Sequence, residues 1–117
     1  MLGVDNLSTD GRLLIVIDPG APANISEVRA AIHSCLSSGL VVYSKHARQR
    51  MSQRGFDIRV VERVLQYGRI FLSDYRPEFS SWSYTAEQSD TRVVFTFDVD
   101  IDEEKNTVLV ITLVRLK

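Results

Sequence analysis

The sequence has a single cysteine among its 117 residues, so it can form neither an internal disulfide framework nor a cysteine-rich zinc site. Its first 18 residues lack a basic leader and contain Asp5 and Asp10, a composition unlike that of a secretory signal peptide. No apolar run approaches the roughly 18 residues that a membrane-spanning helix needs. These absences predict a cytoplasmic protein without a membrane anchor.

The chain also has almost no excess of either charge, since it holds 14 Lys/Arg and 15 Asp/Glu, a net charge of -1, and has a sequence pI of about 6.1. This balance argues against a protein that coats nucleic acid through its overall charge. The charge is nevertheless unevenly distributed: residues 43–76 contain eight Lys/Arg and three Asp/Glu, a net of +5, which leaves -6 for the rest. Such a division predicts positive potential on one face, unless folding scatters the arginines around two helices.

The length predicts one domain covering residues 1–117, and a hydrophobic fraction of 44% is sufficient for a core. The sequence contains no repeat, low-complexity segment or shift in composition that would mark a linker. We expect the core at about residues 24–117, preceded by an extension over residues 1–23. Within that extension, "RLLIVID" (12–18) predicts a short strand that ends in a turn.

Three segments with helical spacing of apolar residues each follow a capping residue and precede a glycine. They are residues 25–38 between Asn24 and Gly39, residues 45–54 between Ser44 and Gly55, and residues 58–67 between Asp57 and Gly68. The intervening "LVVY" (40–43) is interpreted as an extended link.

After Gly68 the apolar period changes from 3.6 to 2, which predicts strands at about 69–75, 80–86, 91–100 and 106–117. The short gaps between them suit antiparallel hairpins. The last strand is apolar on both faces, so we expect it inside the sheet. Strict alternation would place Leu109, Ile111 and Leu113 on one face, and Val108, Val110 and Val114 on the other. The predicted fold class is α+β, with N-terminal helices on one face of a twisted antiparallel sheet of about four strands.

The second helix lies in "SKHARQRMSQRG" (44–55), which holds one lysine, one histidine, three arginines and no carboxylate. At 100° per residue, His46, Arg50 and Arg54 fall within about 80° of one another. A histidine can exchange a proton near neutral pH, and two arginines one turn apart can hold a phosphate. RNA cleavage through the 2′-hydroxyl needs these groups, and needs no metal or other cofactor. Lys45 can add to the phosphate site, whereas the alternative is a packed histidine beside solvated arginines.

The stretch "SKHARQRMSQRGFDIRVVERVLQYGRI" (44–70), followed by "VLVITLV" (108–114), resembles a family of small bacterial domains with an HA-x-x-RM-x-x-RG signature. That family is similar to the RelE/barnase-like ribonuclease toxins. The signature is matched here by His46, Ala47, Arg50, Met51, Arg54 and Gly55. In addition, "GFDI" (55–58) and "YRP" (75–77) are similar to segments of the motility quorum-sensing regulator type of messenger-RNA interferase.

The resemblance implies a RelE/barnase-like fold and a metal-independent endoribonuclease of toxin type that cleaves RNA between the helices and the sheet. His46 would act as acid or base, and Arg50 and Arg54 would hold the scissile phosphate. An antitoxin or immunity protein would be the expected partner besides the RNA substrate. The sheet residues that could complete the site are Tyr84, Arg92, Thr96 and Thr112. The alternative is a non-catalytic binding module whose basic face docks RNA or an acidic protein partner, or a purely structural domain.

Four other features have simpler interpretations. "DVDIDEE" (98–104) starts like a calcium-binding loop, but Glu103 stands where such a loop needs glycine, so it predicts a solvated hairpin turn. Trp82 and Tyr84 share a strand face and could stack on bases, although strand aromatics more often belong to a core. We interpret His33 as structural and Cys35 as a small buried apolar residue.

Overall fold

The computed structural model of the protein describes residues 16–116 and has the predicted α+β class, with three α-helices and a five-stranded sheet. A short 3-10 helix, Pro77–Phe79, joins the second and third strands. In chain order the elements are α1 (Ile25–Ser38), β1 (Val41–Tyr43), α2 (Lys45–Arg54), α3 (Ile58–Tyr67), β2 (Arg69–Arg76), β3 (Ser81–Gln88), β4 (Thr91–Asp100) and β5 (Lys105–Arg115).

All three helices have the predicted bounds because their ends are determined locally. The Asn24 side chain accepts a hydrogen bond of 2.8 Å from the Ser26 backbone N–H, and Asp57 accepts one of 2.8 Å from the Arg59 N–H. Each therefore satisfies a donor that a helix start leaves unpaired. Gly39 and Gly55 end α1 and α2 in the left-handed conformation, with φ of 70° and 68°.

Gly68 ends α3 for a different reason, since its backbone is extended, with φ of -70° and ψ of 161°. A β-carbon at this position would lie 2.4 Å from the Val64 carbonyl oxygen and 2.8 Å from the Glu87 carbonyl oxygen. The chain therefore needs glycine where α3 passes directly into β2 beside β3.

The sheet order is β1-β5-β4-β3-β2, so the last strand is internal, as predicted. The prediction of an antiparallel sheet of about four strands is wrong in one respect, because β1 adds a fifth strand parallel to β5. The predicted link contains two valines and a tyrosine, which favour extended structure, and it pairs with an otherwise open edge. Hydrogen bonds of 2.9 Å run from the Val108 N–H to the Leu40 carbonyl and from the Ser44 N–H to the Val110 carbonyl.

The helices pack on one face of the sheet, where the core is continuous. Its members from β4 include Val93, Phe95 and Phe97, which share one face of that strand. The predicted alternation along β5 is wrong, because Val108, Val110 and Leu113 all belong to the core. A β-bulge at Ile111 adds one residue between the pairs Phe95–Val110 and Val94–Thr112, and so exchanges the two faces beyond it.

The predicted strand at residues 12–18 is only partly within the structure. Residues 12–15 lie outside the described residues, and residues 16–18 form no strand, which corrects that part of the prediction. Ile17 is buried, and its N–H donates a hydrogen bond of 2.9 Å to the Asn106 side chain. Over residues 16–116, no helix is both long and apolar enough to cross a bilayer.

Candidate functional site

The basic helix α2 is attached to the sheet through its capping residue. The Ser44 hydroxyl donates a hydrogen bond of 2.8 Å to the Ile111 carbonyl, and accepts one of 3.0 Å from the Ala47 N–H. Ile111 is the bulge residue of β5, so its carbonyl oxygen is not required by the regular ladder. The bulge and the cap together fix where α2 begins over β5.

Replacing Ser44 by alanine should therefore lower the free energy of unfolding by about 1–2 kcal/mol, because both the cap and the bond to β5 are lost. Ser44→Thr keeps the hydroxyl and should retain most of the stability. Urea denaturation of the two variants beside the parent chain measures the difference. Equal stability of Ser44→Ala and the parent would show that the hydroxyl does not anchor α2.

The side chains of α2 divide according to their distance from the sheet. Ala47 is fully buried, and Arg50, about 60° from it around the helix, is half-buried. His46 and Arg54 flank Arg50 by one turn on either side and are exposed. The structure therefore brings the three predicted catalytic residues onto one flank of α2, with Arg50 closest to the core among them.

None of the five basic side chains of α2 has an anionic partner among residues 16–116. Within that range, these side chains make no hydrogen bond or ion pair; they are Lys45, His46, Arg48, Arg50 and Arg54. Arg50 is the most unusual, because a half-buried guanidinium loses hydration without gaining an acceptor. An arrangement of this kind favours binding of an external anion.

The arginines on the other elements behave differently, since most of them have partners. Arg29 donates to the carbonyls of Gln66 and Gly68 at 3.0 and 2.7 Å, and Arg76 donates to the Ser83 hydroxyl at 3.2 Å. Ion pairs join Arg59 to Asp57, Arg69 and Arg92 to Glu87, and Arg115 to Asp90. Unpaired cations are therefore concentrated on α2, with Arg63 on α3 nearby in sequence.

The first turn of α2 carries basic residues that oppose its helix dipole, whereas Arg54 in the last turn complements it. The first turn contains Lys45 and His46 and no acidic residue, although the amino end of a helix is its positive end. The Lys45 cation there lowers helix stability and adds to the positive potential around the first turn. A helix built in this way gains stability when an anion binds, which again indicates an anionic ligand.

Sequence reasoning missed a residue that holds the other end of α2. The Arg115 guanidinium lies 4.6 Å from the ring centre of Phe56 and donates to the Arg54 carbonyl at 3.5 Å. It also pairs with Asp90 at 3.5 Å. Arg115 thus links the last turn of α2 to the turn between β3 and β4. Its sequence position, 61 residues after Arg54 at the end of α2, gives no local signal of this role.

The sheet residues predicted to complete the site are not brought to α2. Tyr84 is 1% exposed, and its hydroxyl accepts a hydrogen bond of 2.9 Å from the Ala23 N–H. It belongs to the core with Phe95 and Phe97, which contact its ring. A substrate on the surface therefore has no access to Tyr84 in this conformation.

Arg92, Thr96 and Thr112 lie on the face of the sheet opposite the helices, because their neighbours in the strands face the core. Arg92 donates to Glu87 at 2.5 Å, and Arg69 lies 3.7 Å from the same carboxylate. The Thr96 hydroxyl is buried, with partners at 2.7 Å in Ser81 and Trp82. The sheet thus separates these predicted binding residues from His46, Arg50 and Arg54.

Tyr43 is a second residue that sequence reasoning missed. It immediately precedes the Ser44 cap, and its hydroxyl is buried and has no hydrogen-bond partner within the described residues. Burial, together with the negative charge of Glu62, raises the pKa of Tyr43 to about 12. The phenol is therefore protonated at neutral pH and keeps an unused donor at the base of α2.

The remaining sequence candidates have structural surroundings. Trp82 is half-buried and makes an edge contact with Tyr75, with ring centres 5.7 Å apart. His33 Nε2 lies 3.3 Å from the Gln66 carbonyl at the end of α3, which fits the structural role predicted for it. Cys35 is buried as predicted, and burial raises its pKa to about 11, so its thiol is protonated at neutral pH.

The acidic segment 98–104 spans the end of β4 and an exposed turn, residues 101–104, as predicted. Within residues 16–116, no group of three or more His, Cys, Asp or Glu side chains is arranged to hold a metal ion. The acidic turn precedes β5, whereas α2 packs near the end of that strand, where Ile111 and Arg115 contact it.

The chain belongs to the family of the domain of unknown function DUF4258, which matches residues 43–115. The matched region begins one residue before the Ser44 cap and ends at Arg115, so it contains α2 and both of its anchors. No curated protein and no solved structure matches the chain. The family match assigns no activity, and the similarity to RelE/barnase-like ribonucleases stays a prediction from the signature residues.

Proposed function

We propose that the domain is a metal-independent endoribonuclease of toxin type, which binds RNA through α2 and cleaves it by the 2′-hydroxyl route. The observation that supports this proposal is the set of unpaired cations on α2, with half-buried Arg50 between exposed His46 and Arg54. RNA supplies phosphates at regular intervals, and arginine binds a phosphate through two parallel hydrogen bonds.

The chemical step follows from the groups on this flank. A base removes the proton from the 2′-hydroxyl, the 2′-oxygen attacks the adjacent phosphorus, and the bond from phosphorus to the 5′-oxygen breaks. The leaving oxygen takes up a proton, which gives a 2′,3′-cyclic phosphate and a 5′-hydroxyl end. His46 carries one of these proton transfers, while Arg50 and Arg54 stabilise the charge that develops on the phosphate.

An acidic antitoxin or immunity protein is the partner that suits the same helix. A carboxylate-rich surface would provide the acceptors that Lys45, Arg48 and Arg50 lack within the described residues. It would compete with RNA directly, because both ligands need the same cations. Inhibition would then weaken as the salt concentration rises.

A non-catalytic RNA-binding domain is the second candidate, and a specific observation favours it. The chain has two histidines, and the second one, His33, lies on α1 against the end of α3. Tyr84 is buried and Arg92 is engaged by Glu87, so neither predicted sheet residue offers His46 a partner for the second proton transfer. Binding without cleavage needs only the cations of α2.

Arg50→Ala should weaken binding of a labelled single-stranded RNA about tenfold or more, because a charge-assisted contact is lost. The slope of log affinity against log salt should become shallower by about 0.7, the value for one phosphate contact on a single strand. Arg50→Lys should keep the slope but lose affinity, since lysine lacks the planar fork. Lys105→Ala, which removes an exposed cation beside the acidic turn, is the matched control and should bind normally.

The two candidate functions are separated by incubating the parent chain with end-labelled RNAs and a chelator. Cleavage that persists in chelator, yields cyclic phosphate ends and fails on a 2′-deoxy substrate supports the endoribonuclease. Tight, salt-dependent binding with no cleavage supports the binding domain. Cleavage that the chelator abolishes, or RNA affinity that does not respond to salt, contradicts the proposal.

A further inference from the structure

The outward side of α3 carries a second basic stripe that the described site does not include. Arg59, Arg63 and Tyr67 follow one another at intervals of four residues, so they span about 80° around the helix. This stripe lies opposite Val61 and Leu65, which are fully buried against the sheet. All three side chains therefore point away from the core.

Tyr67 is unusual because a large ring is left in solvent. The residue is 66% exposed, whereas Tyr84 in the core is 1% exposed. Its exposure is not explained by packing, since no ring contact joins it to another aromatic side chain within residues 16–116. An exposed tyrosine presents an aromatic surface on which a ligand can stack.

The two arginines of the stripe are available to an anion. Arg63 is exposed and has no partner among the described residues. Arg59 pairs with Asp57 at 3.8 Å, but its side chain is 86% exposed, and such surface pairs contribute little. A phosphate could therefore engage both guanidinium groups without breaking a buried interaction.

The stripe follows α2 closely in the sequence. Only residues 55–57 separate the two helices. Lys45 and Arg48 are exposed on α2, and Lys45 lies about 160° around the helix from buried Ala47. Exposed cations of α2 and α3 thus follow one another along the chain. Along α3 they are one turn apart, about 6 Å, which is of the order of the separation of neighbouring phosphates on an extended strand.

We infer that single-stranded RNA bound at α2 extends to this stripe on α3, with its phosphates on Arg59 and Arg63, and that Tyr67 stacks on one unpaired base. The inference rests on the proposed function and adds that the RNA substrate is single-stranded. A duplex would bring phosphates but no free base face, whereas a single strand offers both. Tyr67 thus replaces Trp82 and Tyr84, the stacking candidates suggested by the sequence.

The test compares Tyr67→Leu and Tyr67→Phe with the parent chain. The probe is a labelled 2′-O-methyl oligonucleotide, which cannot be cleaved, used as a single strand and as a duplex with its complement. Tyr67→Leu should bind the single strand about tenfold more weakly, because leucine keeps apolar bulk but has no ring to stack. Tyr67→Phe should bind within about twofold of the parent. Both variants should bind the duplex normally.

Circular dichroism of both variants provides a check on folding, and the exposed position of Tyr67 predicts native spectra. Parent-like binding of the single strand by Tyr67→Leu would overturn the inference. An equal loss on single strand and duplex would also overturn it, because that result would indicate a change in charge or structure rather than stacking.

Arg50→Ala, measured with the same probes, separates this inference from the proposed function. If Arg50→Ala weakens both probes and Tyr67→Leu weakens neither, the inference fails and the proposed function survives. If the parent chain binds neither probe in a salt-dependent way, the proposed function fails. Binding of poly-glutamate by the parent and Tyr67→Leu alike, without binding of either RNA, would overturn the inference and assign the surface to an acidic partner.

Discussion

His46→Ala should lower the rate of RNA cleavage about 100-fold or more and leave RNA affinity nearly unchanged. Proton transfer by a positioned side chain typically contributes 10²–10⁴-fold, and alanine cannot replace it. The permanent positive charges proposed to bind RNA, those of Arg50 and Arg54, are retained in this variant. His46 is also exposed, so its loss leaves no cavity in the core. Single-turnover cleavage of a labelled RNA, beside equilibrium binding, measures both quantities.

His33→Ala is the matched control, because it removes the other histidine, on α1, and should change the rate by no more than a few fold. Added imidazole should restore part of the activity of His46→Ala, since the vacated position is open to solvent. A merely structural role would give no such rescue. Full activity in His46→Ala would exclude it as the proton-transfer group, and equal losses of rate and affinity would assign it to binding.

The helices could be predicted residue by residue because their signals are local. Asn24, Ser44 and Asp57 each satisfy a free backbone N–H within a few residues, and Gly39 and Gly55 each adopt a conformation that other residues avoid. None of these interactions depends on the rest of the fold. The same locality explains why the basic composition of α2 could be recognised before its surroundings were known.

The sheet was predicted less well because its details depend on distant partners. Residues 41–43 of the predicted link become β1 only because β5, more than 60 residues later, presents an edge to them. One extra residue at Ile111 then transfers Leu113 to the helix face, which alternation alone cannot reveal. A one-residue change in register decides which side chains of β5 reach the core and which reach solvent.

The helical half of the candidate site was predictable because helical spacing is a local property, whereas the sheet half depends on distant partners and was not predictable. His46, Arg50 and Arg54 share a flank because helical spacing dictates it. Arg92 was one of the sheet residues expected to complete that site. Glu87, its partner across the hairpin, accepts its hydrogen bond and neutralises its charge instead. The sequence shows how many arginines there are but not which of them find carboxylates.

Gly68→Ala should lower the free energy of unfolding by about 3 kcal/mol, the upper part of the range for inserting a methyl group into packed structure. The new β-carbon would meet two backbone oxygens, those of Val64 and Glu87, at 2.4 and 2.8 Å. Neither oxygen can rotate away as a side chain could, because the Val64 carbonyl accepts the Gly68 N–H at 2.8 Å and Glu87 lies in β3. The junction between α3 and β2 must therefore shift.

Gly20→Ala is the matched control, since its β-carbon would make only an ordinary contact of 3.5 Å with the Asp18 side chain. Its stability should stay within about 0.5 kcal/mol of the parent, as for most surface substitutions. Thermal unfolding should then separate the two variants by on the order of 10 °C. Because α3 leads into β2 at Gly68, a parent-like melting temperature for Gly68→Ala would mean that the helix is not held against β3 as closely as the structure has it. The outward position of Arg63 and Tyr67 would then also need revision.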